Sequence, residues 1–509
     1  MTIERKPVAF GDLRGWIDAL RAAGELHEVD AEVDWNIELG TIMRLAQGPG
    51  TGPAMLFNNI KDYNTPNSRC RRIFGSALNN YRRIAMMLGL PPDTHARELV
   101  RLGRSLLTGT IPPRIVNGGP VKENVVAEKD IDLSELPAPY WNRLDGGRYL
   151  LTYGGVVTKD PITGVMNVGI YRGMIASRNT IPILMWRAQH IGHHVTAWQQ
   201  GGKAEMPIAV VLGWEPSLGF CAGSPVPKGV CEYDVMGAIR GARVDLVKCE
   251  TSDLYVPASA EIVLEGYLGL DPATYEMEGP YAEVTGYIAG DKSPKPTIRV
   301  TAITYRNDPI LRGTIEGSMP GSFSENAMCS SIFRSSTAWD VLDRAGVPGI
   351  TDVWCPPVHA GMNLLVQMRQ SYRNQAKQAA NAIWGSSAAH VRYKHITVVD
   401  DDIDIHDYAA VDWAVAYRVN AGENDIIIMP STFGMGIDPS MRKRDRNVTL
   451  FGTGKWNRVL IDATRNLDYD PDPDLGGARF PPTVWPEEMD IAAVKARWSE
   501  FGLDKPKRG

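Results

Sequence analysis

Apolar residues recur at three- and four-residue spacing at Leu13, Trp16, Ile17 and Leu20, which predicts an amphipathic helix near the head of the chain. Pro53-Ala54-Met55-Leu56-Phe57 is a short apolar run and predicts a buried strand. A second helical pattern covers residues 80–88 and stops at Gly89 with Pro91-Pro92. A third covers 96–107 and runs into Ile111-Pro112-Pro113, a boundary signal. Residues 1–112 are therefore expected to form an N-terminal α/β segment.

The texture then changes. From about 114 to 315, short segments rich in Val, Ile, Thr and Tyr alternate with Gly/Pro turns, as at 150–158, 180–187, 207–212 and 297–305. Arg306-Asn307-Asp308-Pro309 reads as the turn of a hairpin joining 297–305 to Ile310-Leu311-Arg312-Gly313. Region 113–318 is expected to be mainly β, as a barrel or a twisted sheet. Ser324 is a candidate N-cap for a helix over 325–345, which Gly346-Val347-Pro348 ends; this is the connecting helix of 319–348. Alternation returns over 349–465, with strands at 364–367, 395–399 and 425–429. Helices are expected at 369–384 and around Trp413, Val415 and Tyr417. The tail, 466–509, is rich in Pro, Asp and Gly and ends in a helix near 491–501, suited to contact with a second subunit. The expected fold class is α+β multi-domain.

Composition narrows the function. With 44% hydrophobic and 22% charged residues, 509 residues suffice for two or three globular domains and a deep cleft. A net charge of -5 lacks the Lys and Arg surplus that nucleic-acid binding requires, and Arg442-Lys443-Arg444 reads as a solvated loop. No apolar run reaches the roughly 18 residues of a membrane span. The six cysteines, Cys70, Cys221, Cys231, Cys249, Cys329 and Cys355, form no C-x-x-C pair. The first residues carry no signal-peptide pattern, so the expectation is a cytoplasmic protein with reduced thiols.

Four clusters carry candidate chemistry. Asn167 and Arg172 lie five apart in Asn167-Val168-Gly169-Ile170-Tyr171-Arg172, and an Arg so placed can grip a carboxylate, although alone it reads more readily as a surface or interface Arg. Gln189-His190-Ile191-Gly192-His193-His194 packs three of the nine histidines together; metal ligation competes there with an exposed helix start. Cys221-Ala222-Gly223-Ser224-Pro225-Val226-Pro227-Lys228-Gly229-Val230-Cys231-Glu232 pairs an extended proline loop with a carboxylate, a pattern that suits a hard cation such as K+, Mg2+ or Mn2+. Glu278-Gly279-Pro280-Tyr281-Ala282-Glu283 brings two carboxylates to one turn and offers a general acid; a turn with two solvated glutamates is the plain alternative.

In this order the segments resemble the UbiD family of prenylated-FMN-dependent (de)carboxylases, over residues from about 10 to about 465. The matching motifs are N-x-x-x-x-R at Asn167 and Arg172, Q-H-I at Gln189, P-x-P-x-G-x-x-E from Pro225 to Glu232, and E-G-P-x-x-E from Glu278 to Glu283. Asp401-Asp402-Ile403-Asp404-Ile405 with Trp413-Ala414 extends the likeness into the C-terminal part. The resemblance implies a central split β-barrel of the flavin-reductase type and an active site in the cleft beside the C-terminal α/β domain. It implies that Asn167, His190 and Glu232 hold Mn2+ (or Mg2+) on the flavin phosphate, with a K+ site at the carbonyls of 221–224. Gly169, Ile170, Tyr171, Arg172, Gln189, Ser224 and Pro225 would add cofactor contacts.

The implied reaction is reversible, non-oxidative decarboxylation of an aromatic or heteroaromatic acid through a covalent prenylated-FMN adduct. Arg172 would orient the carboxylate and hold Glu278, and Glu283 would protonate the carbon that loses CO2. The implied partners are a UbiX-type flavin prenyltransferase and a second copy of the chain, with hexamers in some relatives. Segments 321–326 and 430–440 differ from the cinnamate-type branch. They read as walls of a roomy site for a hydroxybenzoate or a fused-ring acid such as phenazine-1-carboxylate. The competing reading is a non-catalytic flavin-binding or assembly subunit of the same fold.

Overall fold

The computed structural model describes residues 5–503 apart from 67, 107–108, 225, 227–228, 390 and 447–452. The opening apolar stripe forms the helix Leu13–Ala22, capped by Asp12, whose carboxylate accepts from the Gly15 N–H at 2.8 Å; Leu13, Trp16, Ile17 and Leu20 are its buried face. Asn80 caps Tyr81–Met87 in the same way. Strands Leu26–Val29, Ala54–Phe57 and Arg72–Gly75 pair in that order, and Ile310–Arg312 adds a fourth strand parallel to Arg72–Gly75.

That last pairing corrects the expected hairpin. Ile310–Arg312 leaves Thr297–Tyr305 and crosses to the N-terminal sheet, tying the central region to the first segment. Arg306 helps the chain turn away: its guanidinium bonds Asp12 at 2.7 Å and Glu261 at 3.3 Å, where a hairpin would have folded it back.

The middle of the chain builds a seven-stranded antiparallel sheet. Its path runs Thr180–Pro182, Thr297–Tyr305, Ile262–Gly269, Glu205–Leu212, Gly155–Lys159 and Met166–Gly169, with Asn124–Ala127 also paired to Thr297–Tyr305. Both faces are covered by apolar clusters, which explains why these strands read as near-continuous hydrophobic runs.

Glu325–Arg344 is a 20-residue helix with Ser324 as N-cap, as expected. It packs on Ala96–Leu106, on Ser217–Ala222 and on Ile350–Trp354, so one helix joins all three regions of the chain. Beyond it stands a mixed five-stranded sheet ordered Ile350–Trp354, Asn363–Met368, His395–Asp400, Gly454–Ala463 and Ile426–Gly434. The helix expected at 369–384 begins only at Gln375, because Asn374 adopts a left-handed conformation before it and Gln375 Oε1 accepts from the Ser371 N–H. The strand expected at 425–429 begins at Ile426 and runs on as far as Gly434. Among the described residues no helix is long and apolar enough to cross a membrane, and the six cysteines are free and buried.

A buried ion pair joins these parts. Arg312 bonds Glu325 at the start of the long helix, and Glu325 also accepts from the Leu78 N–H at 2.8 Å. Arg312→Leu leaves that carboxylate buried without its cation. It should cost about 3–5 kcal/mol, read as a lower urea midpoint, with part of the loss recovered in the Arg312→Leu/Glu325→Leu double variant.

Candidate active site

Arg172 follows directly on the strand Met166–Gly169. Its Nε and Nη2 donate to the two oxygens of Glu278 at 2.8 and 2.9 Å, and its Nη1 donates to Glu283. Burial alone pulls the guanidinium down, but Glu283 and Glu278 outweigh it and the net shift is upward. Gly290, at positive φ, allows this packing; a Cβ there would stand 2.9 Å from Arg172 Nη2.

The two carboxylates are not equivalent. Glu278 is fully buried and takes a third hydrogen bond from the Tyr149 hydroxyl at 2.7 Å. Glu283 lines a cavity of about 640 Å³ of empty space, its open mouth included. The two glutamates that might have been a solvated turn are therefore both claimed by one arginine.

Ile170, Tyr171, Arg172 and Gln189 line the same cavity. Gln189 directly precedes His190, the first residue of the helix His190–Gln200, and Glu232 opens the helix Glu232–Arg240. Neither helix has a side-chain cap hydrogen bond at its start, so two positive dipole ends come together beside Asn167 without caps of their own. Asn167 lies 3.0 Å from His190 Nδ1; with its amide nitrogen turned inward it also donates to Glu232 Oε1 at 3.2 Å. His190 Nδ1 and Glu232 Oε1 are 4.0 Å apart. Burial pushes the Glu232 carboxyl up to about 8, although the Val168 N–H donates to it at 2.7 Å.

An amide, an imidazole and a carboxylate without a thiolate form a donor set that fits Mn2+ or Mg2+. Two uncapped helix starts fit a phosphate. Among the described residues no cluster of three His, Cys, Asp or Glu side chains stands ready for a metal, so the amide of Asn167 is essential to this fit.

Other expected residues fall nearby. Gly169 lets the Tyr171 ring close over the strand, since a Cβ there would sit 2.6 Å from it. Ile170 N–H donates to the Ala222 carbonyl at 3.2 Å, and Ser224 Oγ donates to the Phe220 carbonyl at 2.5 Å. Pro225 lies outside the described residues. Of the three clustered histidines, His193 is exposed, whereas His194 is buried against Thr158 Oγ1 at 2.9 Å, and burial brings it down to about 4.

Three family models match the chain: the 3-octaprenyl-4-hydroxybenzoate carboxy-lyase N-terminal domain over 17–102, its Rift-related domain over 114–319 and its C-terminal domain over 327–463. A pyrrole-2-carboxylic acid decarboxylase of Pseudomonas aeruginosa is 32% identical over 97% of this chain and 98% of its own. The chain belongs to the UbiD family of carboxy-lyases.

Solved UbiD-class structures share its mixed α/β multi-domain fold. Vanillic acid decarboxylase of Sedimentibacter hydroxybenzoicus in closed form superposes with a TM-score of 0.82 at 26% identity, covering 98% of this chain and 100% of that one. An evolved dimeric form of HmfF from Pelotomaculum thermopropionicum, in complex with prFMN, gives 0.76 at 26% identity, covering 95% and 99%.

Motif reading missed part of this UbiD cavity. Asn326 and Ile437 lie in segments expected to line it, but Trp186, Glu316 and Arg392 had no motif to mark them. Glu316 is buried, and neither of its oxygens closes a hydrogen bond of normal geometry. Burial and then the Glu283 charge push it up to about 7.

A carboxyl raised in the folded state binds protons that the unfolded chain has released, so this contribution to stability falls as pH rises from about 4.5 to about 7. Glu316→Gln, which imitates the protonated acid, should therefore be more stable than the parent at pH 8 by roughly 3 kcal/mol at 1.36 kcal/mol per unit. The difference should close at pH 4.5. Urea unfolding at the two pH values reads it; equal gaps at both would refute it.

Proposed function

We propose that the chain carries out reversible, non-oxidative decarboxylation of an aromatic or heteroaromatic acid with prenylated FMN as cofactor. One observation carries this reading: Arg172, Glu283 and Gln189 line a single cavity, and the residue after Gln189 faces Asn167 and Glu232. A carboxylate-handling group and a cofactor anchor thus share one wall. The names of the pyrrole-2-carboxylic acid and vanillic acid decarboxylases support a ring-bearing acid as substrate.

In this reading Asn167, His190 and Glu232 would hold Mn2+ or Mg2+ and so help to anchor the flavin, and carbonyls of 221–224 would hold K+. Gly169, Ile170, Tyr171, Ser224 and Pro225 flank the cofactor. When bound, prenylated FMN supplies an electrophilic ring that takes up the electron pair left by CO2, which no side chain here can do.

Arg172 keeps two of its five N–H groups after serving Glu278 and Glu283, and it uses them to orient the substrate carboxylate. Glu278, fixed by three hydrogen bonds, holds Arg172 still. Glu283 takes up a proton from solvent and gives it to the carbon that lost CO2, and it removes that proton in carboxylation.

The rest of the reading concerns assembly. The chain divides at 1–112, 113–318, 319–348, 349–465 and 466–509, and the central sheet is of the split-barrel type. A UbiX-type prenyltransferase supplies the cofactor. Exposed Trp413, Tyr417 and Ile428, on and beside the edge strand of the C-terminal sheet, meet a second copy in a homodimer.

Co-expression with a flavin prenyltransferase tests the proposal. The loaded protein should release CO2 from at least one acid in a panel of increasing ring count. Glu283→Gln should keep the flavin absorbance and lose turnover by about 10²–10⁴-fold. A fully loaded protein that releases no CO2 from any acid would end the proposal, and a monomer mass by light scattering would end its dimer.

A further inference from the structure

Arg392 reaches the cavity from the segment before the strand His395–Asp400, and it has no carboxylate partner among the described residues. Among the described residues its Nη1 donates to the Val391 carbonyl at 3.0 Å and to Met435 Sδ at 3.3 Å, and its Nε is buried and finds no acceptor there. Arg334 is a second guanidinium with a buried, unpaired Nε. Both pack around Gly361, where a Cβ would stand 2.6 Å from Arg392 Cδ and 3.4 Å from Arg334 Cδ. Burial, and then Arg334, hold Arg392 well below the ordinary range. Two like charges brought together without counter-ions are costly to keep in a fold. An anion entering the cavity offsets that cost.

The other charges of the cavity do not meet this need. Glu283 is taken by Arg172, and burial raises the Glu316 carboxyl to about 7, so it carries only part of a charge at neutral pH. The carboxylate that leaves as CO2 is also a poor match. Its negative charge drains away as the bond breaks, so a strong grip on it would stabilise the ground state more than the transition state. Arg172 shares its charge with two glutamates and can orient such a group without clamping it. Arg392 touches no carboxylate among the described residues and feels Glu283 only as a lesser influence, so it suits an anion that keeps its charge throughout.

Resting on the decarboxylase reading, we propose that the substrate is an aromatic acid bearing a second carboxylate, and that Arg392 binds this non-reacting carboxylate. Arg392 is then a specificity-determining residue. It binds ground state and transition state alike, so its loss should fall on KM rather than on kcat.

Equilibrium binding to the flavin-loaded protein tests this, with benzoate, isophthalate and terephthalate as probes in calorimetry and CO2 release read beside it. At least one diacid should bind about tenfold or more tightly than benzoate, the scale of one charge-assisted pair. Arg392→Gln should reduce that preference to about one, and Arg392→Lys should restore part of it. For a diacid that turns over, KM should rise about tenfold with kcat within about twofold. Thermal unfolding supplies the control for folding: removing an unpaired charge should leave Tm unchanged or higher, and a large fall would assign Arg392 a structural role and overturn the proposal. It is also overturned if the parent binds no diacid more tightly than benzoate, or if Arg392→Gln weakens all three probes equally. CO2 release from monoacids alone would defeat this proposal and leave the decarboxylase reading standing. Tight diacid binding without CO2 from any acid would defeat the decarboxylase reading and, with it, the claim that the diacid is a substrate.

Discussion

A guanidinium held between two carboxylates sets the terms for this structure. Burying Arg172 costs several kcal/mol in lost hydration, and only the bidentate grip of Glu278 and the added contact with Glu283 offset it. Arg172 comes from the end of one strand and the two glutamates from a single turn more than a hundred residues later, so the region must be in register before any one of them is tolerable. The Tyr149 hydroxyl fills a remaining acceptor of Glu278 from yet another strand. The result is one fixed, inert carboxylate and one that opens on the cavity, an asymmetry that acid–base chemistry needs.

The scaffold exists to hold that asymmetry against a cofactor anchor on one side and a C-terminal wall on the other. Strand Met166–Gly169 carries Asn167 and delivers Arg172 just past its end, so both halves of the site hang on one edge strand of the central sheet. Two helices start at His190 and Glu232 and aim their positive ends at Asn167. The long helix Glu325–Arg344 and the crossing strand Ile310–Arg312 lock the N-terminal and C-terminal regions around them, which lets Arg392 and Ile437 face residues of the central sheet.

Much of this was legible along the chain, for local reasons. The stripe of Leu13, Trp16, Ile17 and Leu20, the cap at Ser324, and the apolar runs of the central sheet need only near neighbours to be read. The hairpin expected at 306–309 failed because Ile310–Arg312 finds its partner at Arg72–Gly75, a pairing no local pattern encodes. The same limit hid Glu316 and Arg392. Each sits in an ordinary stretch of sequence, and its chemistry comes from what it lacks in space: a hydrogen bond for one carboxylate, a counter-ion for one guanidinium. Arg172 with Glu278 and Glu283 was readable only as a set of spaced motifs, and their contact in the fold turns that set into a site.

The most direct measurement follows the proton. The flavin-loaded protein is given an aromatic acid in D2O, and the product is examined by proton NMR. The account predicts one deuteron, equivalent to the CO2 released, at the ring carbon that carried the carboxylate. An acid recovered intact from protein with full flavin occupancy, across the whole panel, would contradict it.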